Sequence, residues 1–80
     1  IFSYIELGEK HAIIEIAVPG SWQGHSISEL DIRRKYGVNI PGVKRNDKTD
    51  VNISPETVLD SSLTLLVLGE YTVLKKCFRL

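Results

Sequence analysis

The chain has one cysteine, no methionine, and no charge to spare: ten Lys and Arg stand against ten Asp and Glu. Each shortage excludes something. With Cys77 alone, no intrachain disulfide can form, so nothing points to an oxidising compartment. Cys77 itself reads as a small apolar core residue, since no His or Asp stands near it in sequence to activate a thiol. Balanced charge argues against a broad cationic face, so no nucleic-acid polymer is expected as a partner. The longest apolar run, Leu65 to Leu68, falls far short of the ~20 residues that cross a bilayer. No signal-peptide pattern is present. Translation begins with Met, so a chain that starts at Ile1 and contains none is expected to be an excised part of a longer polypeptide. There is no internal repeat and no low-complexity segment.

Eighty residues make one domain,. A domain of this size buries only about 60% of the surface its unfolded chain exposes, so partner contacts would help it. Residues 1–9 read as a connector with an early extended piece, and residues 10–80 as the domain proper. His11 to Val18, HAIIEIAV, is a strand ended by Pro19-Gly20, with Ala12, Ile14, Ile16 and Val18 on one face,. Ser26-x-x-Glu29 is a capping box, so a helix begins at Ile27, with Ile27 and Leu30 on its inner side,. Gly37 is its natural C′ residue. Val38 to Lys44 is a second strand, and Pro41 places it at a sheet edge or marks a bulge. Asn46-Asp47-Lys48 turns the chain into a short return strand, Thr49 to Ile53, and Ser54-Pro55-Glu56 turns it again. Leu63 to Leu68 has the near-continuous apolarity of a central strand buried on both faces. Glu70 to Phe78 is a short amphipathic helix with Tyr71, Leu74 and Phe78 inward. The expected fold is α+β, a small two-layer sandwich with the order β-α-β-β-β-α and a mixed sheet.

Catalytic constellations are weak. His11 and His25 have no Cys or carboxylate at ligand spacing, and His25, just before the helix, is expected to pack on Leu30 as a staple. Gly20 to Gly24, GSWQG, is too short for a phosphate loop and lacks its lysine. Trp22 reads as core or interface rather than a stacking platform. None of the serines has an evident base. The chain is not expected to be an enzyme, nor to carry a metal or a resident cofactor.

The informative stretch is Leu30 to Arg45, LDIRRKYGVNIPGVKR. It holds Arg33, Arg34, Lys35, Lys44 and Arg45, half of the ten basic residues, with no acid between Arg33 and Arg45. A local excess inside a neutral chain points to one anion-attracting place. Part of it is explained by the helix dipole, which favours cations in the last turn by about 0.3–1 kcal/mol each. Lys44 and Arg45 are not so explained. Arg33 carries a planar donor fork suited to phosphate, and Asn39, just past the Gly37 turn, can donate and accept. Ile27 and Ile40 add apolar surface. A compact anion with flat apolar parts, such as a nucleotide, fits that set. The plainer alternative pairs Arg33 with Asp31 or Glu29 and buries Ile27 and Ile40 in the core.

The segments IIEIAVPGSWQGHSISELDIRRKYGVNIPGVKR and NISPETVLDSSLTLLVLGE, in that order, resemble the TrkA-C domain, also called RCK-C. The likeness runs from about Glu9 to Leu74 and lies in the combination of elements rather than in any one of them. It implies a domain that follows a nucleotide-binding RCK-N domain in the cytosolic regulatory subunit of Ktr- or Trk-type potassium uptake systems. The Ktr-like members bind cyclic di-AMP between two C-domains. Carried onto this chain, the resemblance implies that Arg33 and Asn39 hold phosphate and adjacent polar atoms, that Ile27, Ile40 and Pro55 hold the adenines, and that Val38 offers backbone contacts. It implies a homodimer, a membrane potassium transporter subunit as partner, and a cytoplasmic location at the inner face of the membrane. Two departures stand out: Pro41, where the family often has an aliphatic residue, and Ser62-Leu63, where it often has Gly-Asp. A ligand-free dimerisation module is the alternative.

Overall fold

In the computed structural model, which describes residues 1–80, the alternation in HAIIEIAV produces the expected strand. Strand β2, His11–Ala17, directs Ala12 and Ile14 into full burial and leaves His11 and Ala17 exposed. It sits inside a five-stranded sheet of order β1-β2-β5-β3-β4, with β1 at Ser3–Leu7, β3 at Asn39–Arg45, β4 at Lys48–Asp50 and β5 at Thr64–Glu70. The extended piece near the amino terminus is therefore an edge strand, paired with β2 from Ser3 opposite Glu15 to Leu7 opposite His11.

Every neighbouring pair in the sheet is antiparallel, which corrects the expectation of a mixed sheet. A helical crossover from β2 to β3 ordinarily joins parallel neighbours. Here those two strands do run the same way, but β5 inserts between them and is antiparallel to both. β3 is accordingly an interior strand. Pro41 is tolerated there because it lies in the register shift between Asn39 and Gly42, where Ile40 and Pro41 together oppose one residue of β5,. The hairpin into β4 turns at Asn46 and Asp47, both at positive φ, and the return strand is shorter than expected,.

The helices cover one face of the sheet. The capping box forms as expected: the Ser26 hydroxyl accepts from the Glu29 amide at 3.1 Å, and the Glu29 carboxylate accepts from the Ser26 amide at 3.1 Å. The helix it starts is interrupted. α1 spans Ile27–Leu30, Asp31 adopts a left-handed conformation, and α2 spans Ile32–Tyr36, closed by Gly37 at φ 73°. α3, Tyr71–Phe78, buries Leu74 and half-buries Phe78. Tyr71 does not turn inward as expected; it is exposed and meets Tyr4 of β1 edge-to-face at 5.8 Å. His25 likewise does not act as a staple: it is exposed, with its ring 3.4 Å from the Glu29 carboxylate.

Twelve buried apolar residues form one core, among them Ile14, Trp22, Ile32, Val38, Leu59, Leu65, Val67 and Leu74. Burial along β5 alternates, so this strand is fully buried on one face only. Its other side, with Ile5, Leu7, Ile13, Leu66 and Leu68 at matching register positions, makes an apolar sheet face outside that core.

Candidate functional site

The turn at Gly37 folds the start of β3 back along α2, and this brings Arg33 and Asn39 together. The Arg33 Nε–H donates to the Asn39 Oδ1 at 2.8 Å. Arg33 is exposed and has no carboxylate partner. The residues that could have neutralised it are engaged elsewhere: the Asp31 carboxylate lies 3.5 Å from the Arg34 Nε, and Glu29 is held by Ser26 and His25. The Ser26 amide, then the His25 ring, hold the Glu29 carboxyl below its ordinary pKa.

The five basic residues thus divide. Lys44 reaches across the outer sheet face to Glu15, 3.4 Å from both carboxylate oxygens, with both side chains largely covered. Arg45 donates to the Ser62 hydroxyl and lies 3.6 Å from Asp60, whose carboxyl is held low mainly by hydrogen bonds from Ser62. Lys44 and Arg45 therefore lock strands and turns and do not join Arg33. The pairing across 29 and 15 positions had no local sequence signal; only the register of β2, β5 and β3 creates it.

The other expected site residues are placed by β3, α1 and the loop after β4. Val38 is fully buried, packed over Gly69, so only its backbone is available to a ligand. Ile40 and Ile27 are half-buried against the core. Pro55 is exposed, and its carbonyl accepts from the Ser28 amide at 2.8 Å, while the Thr57 carbonyl accepts from the Ile27 amide at 3.0 Å. That clamp seats Pro55 beside the first turn of α1. It also occupies the Ile27 and Ser28 amides at the start of α1.

Chemically the pair is a donor array. The Asn39 carbonyl oxygen is taken by the Arg33 Nε–H, which leaves the Asn39 NH₂ and the two terminal guanidinium nitrogens as remaining donors,. Such an arrangement suits a phosphate oxygen, with charge-assisted hydrogen bonds from Arg33 and a neutral one from Asn39. Asn39 also lines an open groove with Leu7, His11, Leu68, Glu70 and Val73. Cys77 takes no part: it is half-buried in α3, and burial pushes its thiol up, away from a reactive thiolate,.

The TrkA-C domain model matches residues 11–79. The chain belongs to the TrkA-C domain family. Among curated proteins, this TrkA-C domain is 35% identical over 72 residues to Ktr system potassium uptake protein C of Bacillus subtilis (strain 168), covering 90% of this chain and 33% of that one. The chain spans about a third of the length of the curated relatives it matches. Among solved structures, it is similar to the RCK C domain of the potassium transport protein KtrA in complex with cyclic di-AMP, with 32% identity, a TM-score of 0.74, and coverage of 82% of this chain and 78% of that one. The RCK_C domain dimer of S. agalactiae BusR in complex with cyclic di-AMP shares the fold, with a TM-score of 0.66, 22% identity, and coverage of 88% and 90%.

Proposed function

We propose that this TrkA-C domain is the ligand-sensing part of a Ktr-type potassium uptake regulator, and that it binds cyclic di-AMP between two copies of itself. The observation that carries the reading is the Arg33–Asn39 pair: an exposed guanidinium without an acid, joined to a side-chain amide whose oxygen it holds and whose NH₂ remains a donor. The similar KtrA domain in complex with cyclic di-AMP supports the choice of ligand.

In this reading Arg33 and Asn39 hold a phosphate, Ile27, Ile40 and Pro55 flank the adenines, and Val38 contributes backbone. A two-fold symmetric dinucleotide has two phosphates, and an isologous dimer supplies each contact twice, so the two Arg33 side chains neutralise the two charges. The apolar outer sheet face, with Ile5 55% exposed, gives a second copy something to cover. The domain is a sensor rather than an enzyme. It acts in the cytoplasm, tethered to a membrane potassium transporter through the longer polypeptide, with residues 1–9 connecting to a nucleotide-binding domain. No helix is long and apolar enough to cross a membrane. Ligand biases the regulator only through its different affinity for the regulator's two states.

Isothermal titration of the 80-residue chain with cyclic di-AMP tests the reading, with ATP and cyclic di-GMP as controls. Micromolar or tighter binding at one dinucleotide per two chains is expected. No heat at concentrations where the dimer is present would leave a ligand-free dimerisation module.

A further inference from the structure

The apolar residues between Ser26 and Gly37 do not fit one helix. At about 100° per residue, a continuous helix would set Ile32 and Tyr36 roughly 140° and 180° around from Ile27. Yet Ile32 is buried in the core, and Ile27, Leu30 and Tyr36 all pack against it. The conflict is resolved at Asp31. Its backbone is left-handed, at φ 50° and ψ 48°, and it is the only non-glycine residue of this kind inside the helical segment. Its amide closes α1 onto the carbonyls of Ile27 and Ser28, both at 3.2 Å, while its own carbonyl accepts from Lys35 at 2.9 Å and starts α2.

This one residue therefore resets the helical phase. Beyond it, Ile32 turns to the core, and Arg33, next in line, arrives within reach of Asn39. We propose that Asp31 is the positioning residue of the anion site: its left-handed backbone places the Arg33 guanidinium on Asn39. The inference rests on the reading of Arg33 and Asn39 as the ligand's phosphate site, and it adds a residue that touches no ligand. Asp, Asn and Gly adopt the left-handed region readily, whereas Ala and above all β-branched Val resist it. The side chain matters less than the conformation it permits, because the Asp31 carboxylate is turned to Arg34 at 3.5 Å.

The experiment compares Asp31→Asn, Asp31→Gly, Asp31→Ala and Asp31→Val in the 80-residue chain. Two readouts are taken: cyclic di-AMP affinity, and the ¹H–¹⁵N signal of the Arg33 Nε–H with its solvent-exchange rate. Asn and Gly should keep the slow-exchanging Nε–H and bind within about threefold of wild type. Ala should lose the signal and bind about tenfold more weakly or worse, a loss of about 1.4 kcal/mol. In the Ala background, Arg33→Ala should add no further loss, because the contact is already gone. Val should follow Ala; if Val does not fold, Ala decides. An Ala variant that keeps the protected Nε–H overturns the proposal, as does an Asn or Gly variant that loses it. The spectroscopic arm needs no ligand. If wild type fails to bind cyclic di-AMP, the functional reading falls while the role of Asp31 is still decided.

Discussion

At the scale of single residues, Arg33 is the side chain on which the proposed function turns. A solvated guanidinium contributes little to stability, and its one bond here is to a neutral amide on the surface,. Arg33→Ala should leave the thermal midpoint nearly unchanged and weaken cyclic di-AMP binding by about tenfold or more, the measure of a lost charge-assisted phosphate contact. Arg33→Lys keeps the charge but loses the Nε–H that holds Asn39, so it should restore only part of the affinity. Titration calorimetry and a melting curve on the same samples separate the two effects. Glu29 makes the opposite kind of contribution, structural rather than functional. Its carboxyl is held below its ordinary value in the folded chain, chiefly by the Ser26 amide. A depressed folded pKa means stability that is present above the unfolded carboxylate value and lost as pH falls through the folded one. Wild type should therefore lose stability on the acid side of the ordinary glutamate range, and Glu29→Gln should flatten that limb of the stability curve. An unchanged acid limb in the Gln variant would remove Glu29 from the account.

At the scale of elements, Gly42 shows how tightly the bulge ties β3 to its hairpin. A Cβ at Gly42 would stand 2.6 Å from the Asp50 carbonyl oxygen, which is backbone and cannot swing aside. Gly42→Ala should then push the end of β4 away, at a cost of about 1–3 kcal/mol. Urea unfolding would read it, and a change of less than about 0.5 kcal/mol would mean the hairpin yields freely. What sequence could disclose at this scale followed local chemistry. The capping box, the Gly37 terminus, β2, β5 and α3 each carry their signal within a few adjacent residues. β1 was legible only as an extended piece of a connector, because its residues are largely exposed at an edge and pairing with β2 makes them a strand of the sheet. The antiparallel sheet was illegible because the insertion of β5 between β2 and β3 is a fact of topology, without a residue that marks it. The break at Asp31 was visible in the clash between Ile27, Leu30 and Ile32 at helical spacing, a signal that a capping box and a terminal glycine overshadowed. The candidate site was legible in its residues and in part of its contacts: six positions separate Arg33 from Asn39, and the turn between them is local. The partners of Lys44 and Arg45 could not be read, since they lie across the sheet and in a distant turn, while Asp31 was within local reach but pairs with Arg34 rather than Arg33.

At the scale of the molecule, size and surface argue together. Only 15 of the 80 residues are buried, and a domain this small has little stability in reserve. One sheet face is sealed by helices, while the other presents Ile5, Leu7, Ile13, Leu66 and Leu68 outside the core. A second copy over that face would stabilise both, and it would do so by mass action, because it binds the folded state alone. The thermal midpoint should therefore rise with protein concentration. Cyclic di-AMP should raise it further, by the equivalent of about 2.7 kcal/mol at one hundred times its dissociation constant. The two contributions separate by substitution. Ile5→Lys lies on an exposed edge strand, 55% accessible and outside the core, so it should spare the fold of the isolated chain. It should abolish the dependence on protein concentration and weaken ligand binding with it, since the dinucleotide needs both copies. Arg33→Ala should keep the concentration dependence and lose only the ligand's increment. If Ile5→Lys retains both, the outer sheet face is not where the two copies meet, and the dimer must close through the Arg33 end of the sheet alone.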